Sequence, residues 1–500
     1  MSGHAFKACH IIFLRTLKTL RRIRNVTPLL LAIACAMPAV AHAHGRLKSS
    51  LPAAGEHLGT VPRLLRLDFS EVPELQFSTL RLVGPGGIAI PLSALRYAPD
   101  SHRAYLADVL GALPAGTYTI LWQMAGDDGH PVRDQIQFVI APGAMGVGVM
   151  PANATSVYAM PGSSNRSVDS AMVMHDDPVT IPEGNGFDAE SLAYVIIRWL
   201  QFTGLLIVIG AVAFRQLVLA LLRRKQDPDS HMIADAEHGA ARLADYAVWL
   251  LVLTAVLRLV AQAYAMHGTT GTFAREPMVG MILQTVWGKG WLLQLVGIAI
   301  AGYGLHRART ARNANSFWVI ATVGAVILAF TTGFAGHAAS APKLLPLAII
   351  ADGLHVLGAG GWLGSLLMLL CAGIPAALRL PHEERGLMVA ELVNAYSPTA
   401  LTAAALIGVT GTFAAWLHVG TVPALWQTTY GRTLLLKLAI LSIVALTGAY
   451  NWLKVKPTLG NVVGAQRIKR SARVEVIVGL AVLAVTAVLV ATATSMDMKM

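Results

Sequence analysis

An aspartate and a histidine three residues apart, Asp352 and His355, interrupt an otherwise apolar run. On a helix that spacing puts both side chains on one face, and an ionisable pair inside a hydrophobic span is a functional-site candidate by default. His355 taken alone fits a helix-to-helix hydrogen bond equally well. His267 (next to Met266), His337 and His418 stand at the ends of other apolar runs, and Met496, Met498 and Met500 close the chain. That last trio reads equally as a ligand set or a frayed tail. Nearer the amino terminus Asp128 and His130 lie two apart, so on an extended segment they point to the same side, although Asp-Gly is also ordinary turn chemistry. Imidazole, carboxylate and thioether are all metal ligands. The three cysteines, Cys9, Cys35 and Cys371, offer neither a disulfide framework nor a paired thiolate site.

The elements that must position these groups follow from composition. The 500 residues are 55% hydrophobic and 13% charged, with a mean hydropathy of +0.58. An average soluble chain carries about 25% charged residues, so a purely soluble protein is excluded. The net charge of +12 comes from short basic clusters between apolar runs, which points to membrane lipid and not to nucleic acid as the partner. Eight segments have spanning length: 191–221, 243–265, 278–304, 316–335, 345–373, 390–417, 430–452 and 473–495. Lys and Arg gather after the first, third, fifth and seventh of them, as at Arg223 and Arg224, Arg307 and Arg309, Arg379 and Arg385, and Lys454 and Lys456. The positive-inside rule then places the chain before span 1 and the carboxyl terminus outside the cytoplasm. His267, His337 and His418 fall on that outer side, with His355 about a third of the way into span 5. Arg198, Arg258, Lys289 and Lys437 lie in or near spans and read as structural. Arg258 is the deepest and most needs a partner.

Residues 1–43 carry a basic start, an apolar stretch from Leu29 to Val40 and Ala41-His42-Ala43, the pattern of a secretory signal peptide. Cleavage after Ala43 makes His44 the new amino terminus; an uncleaved signal anchor is the alternative. From 44 to 141, runs such as Leu64 to Phe69, Thr79 to Val83, Thr117 to Trp122 and Gln135 to Ile140 alternate between turn-forming stretches, which predicts an exported all-β, immunoglobulin-like sandwich. Residues 142–188 are rich in Gly, Pro, Ser and Asn and read as a flexible linker. Its methionines, Met145, Met150, Met160, Met172 and Met174, are soft ligands, but a plain tether explains them as well. The predicted fold is therefore a β-sandwich ahead of an eight-helix membrane bundle at 189–496.

The exported segment resembles the periplasmic copper-resistance protein CopC. The likeness rests on His44-Gly-Arg-Leu-Lys-Ser-Ser-Leu-Pro52, Leu67-Asp-Phe-Ser-Glu71, Gly116-Thr-Tyr-Thr-Ile-Leu-Trp122 and Asp127-Asp-Gly-His-Pro131. It implies that His44, Asp128 and His130 hold Cu(II), and nitrogen and oxygen donors suit that ion. Pro91 to Leu110 holds His102 but no Met, so the Met-rich Cu(I) site of some relatives is not expected, and His102 reads as a surface residue. The membrane half resembles CopD through Thr285-Val-Trp-Gly-Lys-Gly-Trp291, Gly336-His-Ala338, Asp352-Gly-Leu-His355, Gly361-Trp-Leu-Gly364, Thr429-Tyr-Gly-Arg-Thr433 and Glu475. That resemblance implies copper passage by way of His337, Asp352 and His355; topology adds His267 and His418. The expectation is a fused inner-membrane protein whose periplasmic domain binds copper ions and whose bundle imports them, with periplasmic copper chaperones as candidate partners. No G-x-x-x-x-G-K-[ST] loop or D-K-T-G is present, so a copper ATPase, or an enzyme at all, is not expected. Periplasmic sequestration without transport is the main alternative, and a copper- or haem-dependent membrane redox enzyme is a more distant one.

Overall fold

The computed structural model describes residues 47–70, 72–125, 131–145, 191–224, 231–311, 314–334, 345–451, 453 and 462–492. His44, Asp128, His130 and His337 lie outside them, as do the Met496–Met500 tail and all of the methionine-bearing linker except 142–145. The first unit is a two-sheet sandwich. One sheet has the order β1 (Leu47–Leu51), β3 (Leu64–Phe69), β7 (Ser101–Asp108), β6 (Arg96–Ala98). The other runs β2 (His57–Thr60), β9 (Pro131–Met145), β8 (Gly116–Ala125), β4 (Thr79–Val83), β5 (Ala89–Ile90). All pairs are antiparallel except β2 with β9. Strict alternation in β3 sends Leu65, Leu67 and Phe69 inward, where they meet Tyr105, Tyr118, Trp122 and Phe138. β9 continues past the expected strand end at Ile140 to Met145, which pairs with Thr60. His102 is exposed and stacks on Tyr97 at 5.2 Å.

On the outside of the sandwich Arg96 grips Asp108 through two hydrogen bonds of 2.6 and 2.9 Å. Hydrogen bonding to Arg96 holds the Asp108 carboxyl below its usual range. A carboxylate depressed in the folded state adds stability that is complete above its unfolded value, about 4, and fades as pH falls through the lower folded value. Exposed pairs contribute at most about 1 kcal/mol. Arg96→Ala is therefore expected to raise hydrogen exchange in β6 and β7 modestly at pH 6, with an effect that shrinks as pH is lowered below about 4.

Among the described residues nine helices longer than one turn follow: α1 (Leu192–Arg223), α2 (His231–Gly271), α3 (Arg275–Gln284), α4 (Val286–Thr310), α5 (Asn315–Phe330), α6 (Pro346–Ala377), α7 (His382–Val419), α8 (Thr429–Tyr450) and α9 (Val462–Leu489). Among the described residues seven are long and apolar enough to cross a membrane: α1, α2, α5, α6, α7, α8 and α9. The predicted span 278–304 is broken. Thr285 leaves the helical conformation and its hydroxyl accepts from Gly288 N–H at 2.7 Å, which starts α4. The 25 residues of α4 include Lys289, Gln294 and five glycines, which dilute its apolarity. The same device recurs before α8, where one helical turn ends at Thr428 and the Thr428 hydroxyl accepts from Gly431 N–H at 3.0 Å. In both places a side chain on the glycine would strike the preceding turn, 2.2 Å from Met281 O and 2.2 Å from Ala424 O. The two Thr-x-x-Gly motifs are thus matching helix starts.

α6 is the centre of the bundle. It crosses α1 where Gly210 meets Gly364, so closely that a Cβ on Gly364 would stand 2.1 Å from Leu206 O. Two wide turns of π-helix, Gly360–Gly364 and Leu369–Gly373, lie along it. Two of the buried arginines among the described residues reach across the bundle. Arg198 donates to Ala487 O at 3.1 Å, while Arg258 donates to Gln294 Oε1 at 3.2 Å and lies over the Trp287 ring.

Candidate metal path

The wall of α6 that carries Asp352 and His355 faces the end of α5 on one side and α7 on the other. Thr332, in the tight turn after α5, donates its hydroxyl to Asp352 Oδ2 at 2.6 Å. His355 Nδ1 lies 2.9 Å from Thr410 Oγ1 on α7. The Thr410 hydroxyl also lies 2.7 Å from Leu406 O. If its hydrogen goes there, Nδ1 is the protonated nitrogen and Nε2 keeps the lone pair a metal-binding imidazole needs. The other flank of the ring meets backbone, since a Cβ on Gly411 would touch Cε1 at 3.4 Å. Lys437 on α8 is an electrostatic neighbour of both Asp352 and His355. A cation arriving at this pair therefore competes with an ammonium for the Asp352 carboxylate.

A second arrangement lies between the sandwich and the outer end of α2. Gln123 and Arg133 are register partners on β8 and β9, two positions inside Ala125 and Pro131, which bound the loop 126–130. Arg133 Nη2 donates to Ala265 O at 2.8 Å and its Nε to Gln123 Oε1 at 2.6 Å. Gln123 Nε2 donates to Phe77 O at 3.0 Å and to Met266 O at 3.3 Å. Burial pulls the Arg133 guanidinium below its usual range, a sign of how closely the two units fit. Glu74 caps the start of α4, its Oε1 accepting from Val286 N–H at 3.4 Å. Phe77 packs with Ala263, Met266, Met281 and Trp287 into an apolar cluster across the junction. His267 lies against Phe77 with ring centroids 5.9 Å apart, and its Nε2 is buried with no hydrogen-bond partner.

Of the expected ligands, then, Asp352 and His355 share one wall and His267 sits under the sandwich. His418, at the end of α7, is set apart against Tyr430. Among the described residues no three His, Cys, Asp or Glu side chains converge as a metal-binding group. The sequence reading missed Thr332, Thr410, Gln123 and Arg133. Gln123 and Arg133 carried a weak signal, a long polar pair flanking Asp-Gly-His. Lys437 had been set aside as structural, whereas its charge belongs to the Asp352 and His355 neighbourhood.

Three family models match the chain: the CopC domain over residues 47–141, the copper resistance protein D-like N-terminal domain over 188–346 and copper resistance protein D over 390–489. The chain is similar to the copper transport protein CutJ of Bacillus subtilis, 24% identical over 459 residues, covering 90% of this chain and 74% of CutJ. It is also similar to copper resistance protein C of Pseudomonas syringae pv. tomato, 32% identical over 116 residues, or 22% of this chain and 91% of that protein. Among solved structures it resembles PcoC, a methionine-rich copper resistance protein from Escherichia coli, at 28% identity over 20% of this chain and 99% of that one, with a TM-score of 0.18. A TM-score that small adds nothing to the fold, which the two sheets establish by themselves.

Proposed function

Because the chain belongs to the copper resistance family, with its C and D domains fused in one multi-pass membrane protein, we propose that it captures Cu(II) outside the inner membrane and moves copper inward. In this reading His44, exposed by signal cleavage, joins Asp128 and His130 in a Cu(II) site on the sandwich. Copper then passes to His267 and on to Asp352 and His355, with His337 and His418 as further outer-side ligands. The observation that carries the reading is the junction. The Gln123 and Arg133 pair, two positions inside the strand ends that bound the Asp-Gly-His loop, is hydrogen-bonded to the carbonyls of Ala265 and Met266. The neighbouring His267 Nε2 has no partner. A donor domain fixed over an unpartnered imidazole supports delivery better than storage, which needs no junction.

Chelation by a terminal histidine uses its α-amine as well as its ring. One extra residue placed before His44 in the processed chain is therefore expected to weaken Cu(II) binding at least tenfold, read by competition with a chromogenic chelator. Unchanged affinity would remove His44 from the site.

A further inference from the structure

A second polar centre lies away from the proposed copper path. Glu475 of α9 is 6% exposed and Asn451, just after α8, is 8% exposed. Glu475 Oε1 accepts from Trp362 Nε1 at 3.3 Å and its Oε2 from Asn451 Nδ2 at 3.4 Å. These groups close one end of a cavity of about 520 Å³, whose remaining wall is mostly Leu, Ile, Val and Ala from α6, α7, α8 and α9. Leu401 and Leu453 on its wall are 56% and 67% exposed, so the cavity opens on the lipid-facing surface.

The hydrogen-bond account decides what fits. Three donors at the polar end are committed: Trp362 N–H to Glu475, the Tyr396 hydroxyl to Trp362 O at 3.2 Å and the Ser397 hydroxyl to Val393 O at 2.8 Å. Asn451 gives one of its two amide hydrogens to Glu475, while its own Oδ1 is a buried acceptor with no partner. An orphaned buried acceptor is costly and calls for a donor. A bare ion would leave most of this volume empty against hydrocarbon. The volume is that of an ordinary small-molecule pocket, entry is from the bilayer, and Trp362 and Tyr396 offer aromatic surface beside the acceptors.

We propose that the Glu475 cavity binds a membrane-soluble hydroquinone, one ring hydroxyl donating to Asn451 Oδ1 beside Glu475 while the tail leaves past Leu401 and Leu453. This site does not depend on the copper reading.

The test uses the full chain in detergent and a decyl-chain benzohydroquinone, titrated calorimetrically under anaerobic conditions beside its oxidised quinone. The expected result is saturable binding of the hydroquinone, at least tenfold tighter than the quinone, which has no hydroxyl to donate. Asn451→Leu is expected to erase that preference, and Ala404→Trp, which fills the cavity, to abolish binding of both forms. The oxidised and reduced pair on the unaltered protein keeps the test valid if a variant fails to fold. No binding, equal affinity for the two forms, or a cavity held by phospholipid that the hydroquinone does not displace would overturn the proposal.

Discussion

A chain carrying Gln123→Ala and Arg133→Ala together is expected to hold Cu(II) on its sandwich as tightly as before, yet to pass copper to the membrane domain at about a tenth of the normal rate or less. The two side chains make the hydrogen bonds that join β8 and β9 to the end of α2. A hydrogen bond from a charged donor contributes about 1.5–3 kcal/mol, so its loss alone shifts the docked population roughly tenfold or more. Phe77 and its apolar neighbours keep some contact, which is why transfer falls without vanishing. Cu(II) affinity measured on the same preparation separates undocking from damage to the Asp-Gly-His loop. Normal uptake by the double variant would show that the junction does not deliver copper.

The second large effect concerns the helix crossing beneath the Asp352 and His355 pair. Gly364→Val is expected to cost at least about 3 kcal/mol, the upper end of ordinary overpacking. The obstacles here are Leu206 O at 2.1 Å and Gly210 Cα at 2.9 Å, backbone atoms that cannot rotate aside. α1 and α6 would have to separate, pulling apart the cluster formed by Val208, Ile209, Leu366 and Leu369. Gly408→Ala is the matched control, because a Cβ there meets nothing within 4 Å. Thermal unfolding of the purified protein should show a large drop, or loss of folded protein, for Gly364→Val and almost none for Gly408→Ala.

What could be read without coordinates followed from periodicity. β3 and β4 match their expected bounds, Leu64–Phe69 and Thr79–Val83, and β3 alternates in burial as its sequence does. β7 was not anticipated, although it is an inner strand of its sheet. Ala104, Tyr105, Leu106 and Ala107 are buried in succession, so the alternation that marks a half-buried strand is missing. Asp352 and His355 were legible because residues three apart on a helix share a face whatever packs against it. Their partners Thr332 and Thr410 were not, because which helices become neighbours is settled by close crossings such as Gly210 with Gly364. The junction was still less accessible. Gln123 and Met266 are 143 residues apart, and an acceptor carbonyl leaves no mark on the identity of its own side chain. The break at Thr285 was hidden by the apolar residues on both sides of it.

Cellular copper after brief exposure tests inward movement most directly, comparing cells that make the intact chain with cells that make His355→Ala at equal membrane levels. The His355 ring is held by Thr410, and alanine removes that proposed ligand while leaving Asp352 bound to Thr332. Higher cytoplasmic copper with the intact chain, lost with His355→Ala, is the predicted result. Unchanged cytoplasmic copper together with improved copper tolerance would contradict it and make the protein a periplasmic store.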